Sequence, residues 1–322
     1  MLKTAESISP KHPDKICDRI SDAFLDACLA QDPYSRVAME AMGGHGLITV
    51  TGELTTKANI SPDIIIKSVA GDNYKINVNI VRQSPEISQG VDVGGAGDQG
   101  IMVGYASNEN EELVPQELYL ARNLCKRIYE KFPFDGKTQV TLNEGKIYSV
   151  VASFHNAKSA ELKEIIADWL QDKDARSDLT IYANPAGDWS IGGFDADTGL
   201  TGRKIICDAY GPQVPVGGGA YSGKDGTKVD RSAAYMARKI AVDAVKQAGG
   251  EVLVKLAYAI GKKDPVMVTI TRPHSSESLS GVKLSDYDLS PQGIINFLEL
   301  RRPQFEKVAE WGSYGNGFKW DV

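Results

Sequence analysis

The stretch 115–170 reads PQELYLARNLCKRIYEKFPFDGKTQVTLNEGKIYSVVASFHNAKSAELKEIIADWL, and its pattern changes twice. From 115 to 131, Leu118, Arg122 and Cys125 step at helical intervals. Residues 137–142 and 146–154 predict two strands around the tight turn Asn143-Glu144-Gly145, and 160–170 returns to helix. Helix, strand, strand, helix is one α/β unit.

The same order lies on either side. Upstream, 14–30 predicts a helix with Ile16, Ile20, Phe24 and Ala27 on one face and Asp18, Asp22 and Asp26 opposite, and Pro13 suits its first position. Strands at 36–42 and 47–54 flank Gly43-Gly44-His45-Gly46, and 61–70 reads as a helix behind Pro62. In the first of these strands alternation puts Val37, Met39 and Ala41 on one face, Ala38 and Glu40 on the other. Downstream, a helix at 230–248, strands at 251–260 and 266–272 and a helix at 291–300 complete a third unit. The second and third leading helices share a small echo, Tyr119-Leu-Ala-Arg122 against Tyr235-Met-Ala-Arg238. The fold class expected is therefore α/β (α+β): three interlocked helix–strand–strand–helix subdomains with an internal pseudo-threefold repeat. We place them at 1–88, 89–190 and 191–322, interleaved in one compact body.

A formal net charge of −6 argues against broad nucleic-acid or anionic-membrane binding while allowing a local basic pocket. Cys17, Cys28, Cys125 and Cys207 form no CxxC pair, and His12, His45, His155 and His274 are equally dispersed. That pattern disfavours a zinc site or disulfide framework and suits a reducing cytosol. The opening MLKTAESISPKHPDK lacks the apolar core of a signal peptide, so a cytoplasmic location is expected.

Three glycine-rich stretches separate the units: 90–100 (GVDVGGAGDQG), 192–202 (GGFDADTGLTG) and 217–226 (GGGAYSGKDG). The last satisfies G-x-x-x-x-G-K, a pattern that offers backbone N–H groups and a lysine to phosphate. However, Asp225 stands where a P-loop has Ser or Thr, and the next helix begins several residues late. Charges gather nearby: Arg203-Lys204 before a strand expected at 205–210, then Lys224, Asp225, Lys228 and Asp230, with Asp135 and Lys137 opening another strand. Cations would bind phosphates and carboxylates the magnesium that neutralises them. Each of these charges also has a bland reading as a solvated loop residue. By itself Asp14 reads first as an acid complementing a helix dipole, with His12 as its cap. Trp189 is either core or a stacking surface for a purine.

Taken together, the chain resembles the S-adenosylmethionine synthetase family along nearly its whole length. Ser7-Ile-Ser9, His12-Pro-Asp-Lys15, TGELT at 51–55, Gln83-Ser-Pro85, QGVD at 89–92, GAGDQG at 95–100, GLTGRKII at 199–206 and GGGAYSGKDGTKVDRSAAY at 217–235 follow in family order. The resemblance implies that methionine sulfur attacks C5′ of ATP, that triphosphate leaves, and that it is then cut to pyrophosphate and phosphate. It places His12 at the bridging oxygen, Lys137, Arg203, Lys204 and Lys224 on the phosphates with Arg203 leading in triphosphate cleavage, and Asp14 and Asp230 on magnesium, two ions per site. Asp135, Asp197, Ala220 and a stacking Trp189 would complete the ATP site. Glu53, Gln83, Asp98, Asp197 and Lys228 would meet methionine, and Glu40 matches the family's potassium-associated acid. It also implies a homodimer with shared sites, pairing to a tetramer.

Departures accompany the match. Only Val93-Gly94 separates Asp92 from Gly95, where the family has a longer movable loop. The stretch from 56 to 74 is trimmed. Phe194-Asp195, Asp188 and Pro215-Val216 replace residues more usual there. A non-catalytic nucleotide-binding subunit and an unrelated P-loop ATPase or kinase stand as alternatives.

Overall fold

The computed structural model describes residues 1–82, 94–275, 277–279 and 281–322. Three sheets form, each built on one hairpin. The first hairpin pairs β2 (Arg36–Gly44) with β3 (Leu47–Thr55), the second pairs β6 (Gly136–Asn143) with β7 (Lys146–Phe154), and the third pairs β10 (Glu251–Tyr258) with β11 (Met267–Thr271). The first two turn on two residues of positive φ, His45-Gly46 and Glu144-Gly145, which suits the right-handed twist of the flanking strands.

After two of the hairpins a helix crosses to a parallel strand: α2 (Pro62–Ala70) leads to β4 (Lys75–Val81), and α4 (Ser159–Leu170) to β8 (Ala175–Ala183). The other edge of each hairpin takes an antiparallel strand from elsewhere in the chain. β1 (Leu2–Ile8) lies along β6, with Leu2 opposite Asn143 and Ile8 opposite Lys137. β9 (Gly199–Leu200) lies along β2, and β5 (Gly100–Ser107) along β10. The sheets thus run β4-β3-β2-β9, β8-β7-β6-β1 and β11-β10-β5. That common order gives the expected threefold α/β repeat its physical content.

Helices cover one face of each sheet. α1 (Pro13–Leu29) packs on β2, α3 (Gln116–Lys131) on β6 and β1, and α6 (Val229–Ala248) on β5 and β10. Val37, Met39 and Ala41 are buried beneath α1 while Glu40 is exposed, as the alternation predicts. Gly104 of β5 lies so close to α6 that a methyl there would collide with the Ala237 carbonyl group. Three shorter helices, α5 (Ile205–Asp208), α7 (Pro291–Phe297) and α8 (Phe305–Trp311), complete the α-helices of the described residues, with 3-10 turns at Gly193–Asp195 and Leu284–Asp286.

The echo between leading helices marks equivalent buried cations. Arg122 donates to the Tyr314 carbonyl, and Arg238 to the Tyr105, Leu113 and Glu112 carbonyls.

One expectation is corrected. Residues 205–208 are helical, not a strand; the segment follows the pinned backbone at Thr201–Gly202, and its Asp208 reaches the buried Lys15 at 2.7 Å. The acidic face of α1 does not meet solvent. Asp18 and Asp22 are buried, because each receives hydrogen bonds from loops folded over the helix.

Candidate active site

The site grows from the start of α1. His12 is the N-cap, its Nδ1 accepting the Asp14 N–H at 3.1 Å, so the ring proton sits on Nε2, which is left as a donor. Burial, then the charges of Lys204 and Lys137, push the His12 imidazole down to about 3, with Asp14 acting the other way. The ring is therefore neutral at physiological pH.

Asp14 is fully buried. It accepts the Leu200 N–H at 2.9 Å and lies 2.5 Å from Lys204 Nζ and 3.2 Å from Arg203 Nε. Burial alone would raise its carboxyl, but the Lys204 ammonium and the Leu200 N–H outweigh that and hold it below the usual carboxylate range.

The 199–204 segment is fixed before its two cations emerge. Thr201 N–H donates to Ala41 O, Thr201 Oγ1 meets Ser21 Oγ at 2.7 Å, and Gly202 N–H donates to Asp18 at 2.8 Å. Lys137 is exposed on β6, near enough for its charge to act on His12. Asp135, just before β6, is buried and accepts the Gly193 N–H at 3.0 Å. Burial raises its carboxyl, against that N–H and Lys137.

A second group forms at the start of α6. Lys224 Nζ lies 2.6 Å from Asp230, and Lys228 Nζ 2.5 Å from Asp225. Asp225 also accepts the Val37 N–H, and Lys224 bridges to Ala38 of β2. Gly219 lies flat against the Asp230 carboxylate, where any side chain would displace it. Among the described residues no hydrogen bond or ion pair joins this group to the one around Asp14. Nor do three His, Cys, Asp or Glu side chains gather to hold a metal.

The remaining expected residues are spread around these groups. Glu53 lies opposite Ala38 and Glu40 opposite Thr51, which puts both acids on the exposed face of that sheet. Asp98 and Asp197 are exposed, each accepting the N–H of the next residue. Ala220 faces Gly202. Gln83, Pro85 and the QGVD run at 89–92 lie outside the described residues. Trp189 is half-buried, its ring 5.4 Å from that of His155. The composition gave no reason to single out His155, yet its buried Nε2 has no partner beside this candidate stacking surface.

Two departures acquire a structural account. Asp188 accepts from Ser159 N–H and Oγ at 2.8 and 2.7 Å, capping α4. Phe194 packs its ring on Gly43 and meets Tyr74 edge-on at 5.5 Å, docking the 193–195 turn onto β2.

The P-loop alternative fails on geometry. Lys224 bridges to β2, and α6 starts only at Val229, so no loop leads from that lysine directly into a helix.

Residues 1–87, 93–189 and 191–322 match the family models for the N-terminal, central and C-terminal domains of S-adenosylmethionine synthetase. The chain belongs to the S-adenosylmethionine synthetase family. The S-adenosylmethionine synthase of Brachyspira hyodysenteriae is 39% identical, the match covering 99% of this chain and 95% of the relative. Those of Pseudothermotoga lettingae and Petrotoga mobilis are 40% and 38% identical, over 99% and 100% of this chain and 96% of each relative. The matched lengths, 373 to 384 positions, exceed the 322 residues of this chain. Relatives in this synthetase family therefore carry segments that this chain does without. Among the described residues, no helix is long and apolar enough to cross a membrane.

Proposed function

We propose that the group around Asp14 receives the triphosphate of ATP and that the group around Lys224 and Asp230 completes the site from a second copy of the chain. As a member of its family the chain is an ATP-dependent transferase that makes S-adenosylmethionine from ATP and methionine. The observation that carries the site assignment is the meeting of neutral His12, Arg203 and Lys204 at the buried Asp14 carboxylate, with the charge of Lys137 acting on His12.

The thioether is a neutral nucleophile and needs no general base. Its sulfur forms a bond to C5′ while the C5′–O bond breaks and its electron pair leaves on triphosphate. Positioning is then the main task, worth roughly 7–11 kcal/mol in an oriented encounter. The second is stabilising charge on the departing oxygen. His12 Nε2–H faces that oxygen as a neutral donor, and the lysines and Arg203 take the phosphates. Arg203 then serves the cleavage of triphosphate to pyrophosphate and phosphate, water supplying the new P–O bond.

The family is metal-dependent, and hard oxygen donors suit magnesium. Asp14 and Asp230 would hold it, two ions per site, the metal adding positive charge along the polyphosphate. The flat glycine wall at Gly219 gives the Asp230 carboxylate room for that. Glu40 supplies a carboxylate for potassium, and Glu53, Gln83, Asp98, Asp197 and Lys228 the methionine contacts. Asp135, Ala220 and Trp189 line the nucleotide. Among the described residues no hydrogen bond or ion pair joins the two groups, which fits a homodimer with sites between subunits, two dimers pairing as a tetramer.

Mass spectrometry of a mixture of ATP, methionine, magnesium and this chain should show S-adenosylmethionine, pyrophosphate and phosphate, and none when magnesium is chelated. ATP binding without product, at high enzyme concentration, would favour the non-catalytic reading. A monomer in sedimentation that retains full activity would remove the shared site.

A further inference from the structure

Four aspartates stand at every fourth position of α1, and each accepts a backbone N–H from a different place. Asp14 takes Leu200, Asp18 takes Gly202, Asp22 takes Gly223, and Asp26 takes Gln304, Phe305 and Glu306. Fourth positions share one helix face, so α1 is a rail along which both glycine loops are docked at fixed spacing.

Asp22 is the member that matters most for Lys224. It is completely buried and paired with Arg231, itself 1% exposed. Asp22 Oδ1 accepts the Gly223 N–H at 2.8 Å and Arg231 Nη1 at 2.8 Å, and Oδ2 accepts Nη2 at 2.7 Å. Arg231 Nη1 also donates to Lys224 O at 3.0 Å. Met39 N–H donates to Gly223 O, and Lys224 N–H donates to Tyr221 O. Every backbone polar group of Gly223-Lys224 is thereby held. Arg231 follows Asp230 directly, so the same ion pair fixes the turn of α6 that carries the candidate metal ligand.

A buried ion pair is weak support for stability, since a well-packed apolar pair can replace it at little cost. What an apolar pair cannot reproduce is the bidentate geometry and the two backbone contacts. We propose that Asp22, with Arg231, is a positioning residue that sets Lys224 and Asp230 on the triphosphate, touching no substrate itself. This rests on the proposed roles of Lys224 and Asp230.

The test is the double variant Asp22→Leu/Arg231→Met, with Asp22→Asn beside it and Asp26→Asn as control. The double variant should keep its circular dichroism spectrum while kcat/KM for ATP falls tenfold or more and the KM for methionine stays within twofold. Asp22→Asn keeps an acceptor for Gly223 and should lose less. Asp26→Asn should lower the melting temperature and leave ATP kinetics unchanged. Calorimetric affinity for tripolyphosphate should weaken tenfold in the double variant, a readout that does not need turnover. A folded double variant with wild-type ATP kinetics and tripolyphosphate affinity overturns the proposal, as does equal damage from Asp26→Asn. If the double variant does not fold, Asp22→Asn decides on the same readouts. A wild-type chain that makes no S-adenosylmethionine removes the functional reading instead, and tripolyphosphate affinity still judges Asp22.

Discussion

Lys204 Nζ lies 2.5 Å from Asp14 Oδ2 at the buried start of α1, so a proposed phosphate ligand and a proposed metal ligand neutralise each other. Entry of a metal-bound polyphosphate would satisfy both at once, the ammonium turning to phosphate oxygens and the carboxylate to the cation. Asp14→Asn keeps an acceptor for the Leu200 N–H but removes the charge. The expected result is a kcat lower by about 100-fold, the scale seen when one transition-state electrostatic group is lost, with melting within a few degrees of wild type. Steady-state kinetics and thermal unfolding check it.

Acid should expose the neutrality of His12. Its imidazole is held at about 3 in the folded protein against about 6.5 when unfolded. Between those values the unfolded chain binds the extra proton, so this group lowers stability as pH falls below 6.5. The lowered Asp14 carboxyl contributes stability that is lost only below its ordinary value of 3.8. Asp22 and Asp208, both pushed up to about 6 by burial, act the other way, the folded state taking up protons as pH falls through 6. They are present in wild type and His12→Asn alike. Between pH 7.5 and 5, wild type should therefore lose about 2 kcal/mol more than His12→Asn, measured by denaturant unfolding. The rate–pH profile of wild type should show no inflection near 6.5.

Two glycines separate activity from folding. Alanine at Gly104 would press into the Ala237 carbonyl, where strand and helix backbones meet; overpacking of this kind should cost about 3 kcal/mol, read as a lower denaturation midpoint. Alanine at Gly219 meets only the Asp230 carboxylate, which swings away. That variant should melt near wild type, lose at least tenfold in activity, and need more magnesium.

Trp189 is half-buried beside His155. If adenine stacks there, Trp189→Ala should raise the KM for ATP about tenfold, since stacking of a base on an aromatic ring is worth about 1–3 kcal/mol, and leave the KM for methionine unchanged. Equal rises in both would point to a disturbed fold instead.

The first two hairpins were legible because their turns are written locally: His45-Gly46 and Glu144-Gly145 carry the positive φ that such turns demand. The leading helices were legible from their apolar period. The edge strands were not, because β1, β5 and β9 exist only through partners far away, as Leu2 does through Asn143. Ile205-Ile206 carries strand-forming side chains, yet helix forms there, with Asp208 held by Lys15. The fate of the α1 aspartates was equally hidden: a helical pattern shows which residues share a face, not what folds over it. His12, Asp14, Arg203 and Lys204 are brought together as a family motif suggests, and His155 emerges only from its buried, unpartnered nitrogen.

The borrowed edge strands bear on how the chain is made. During synthesis β1 leaves the ribosome well before its partner β6, which follows more than a hundred residues later. The β2–β3 hairpin likewise waits for Gly199-Leu200. An unpaired strand in a nascent chain is an open template for mispairing. Truncated pieces of this enzyme should accordingly clump when expressed alone, and a chaperone that shields β1 should raise the folded yield.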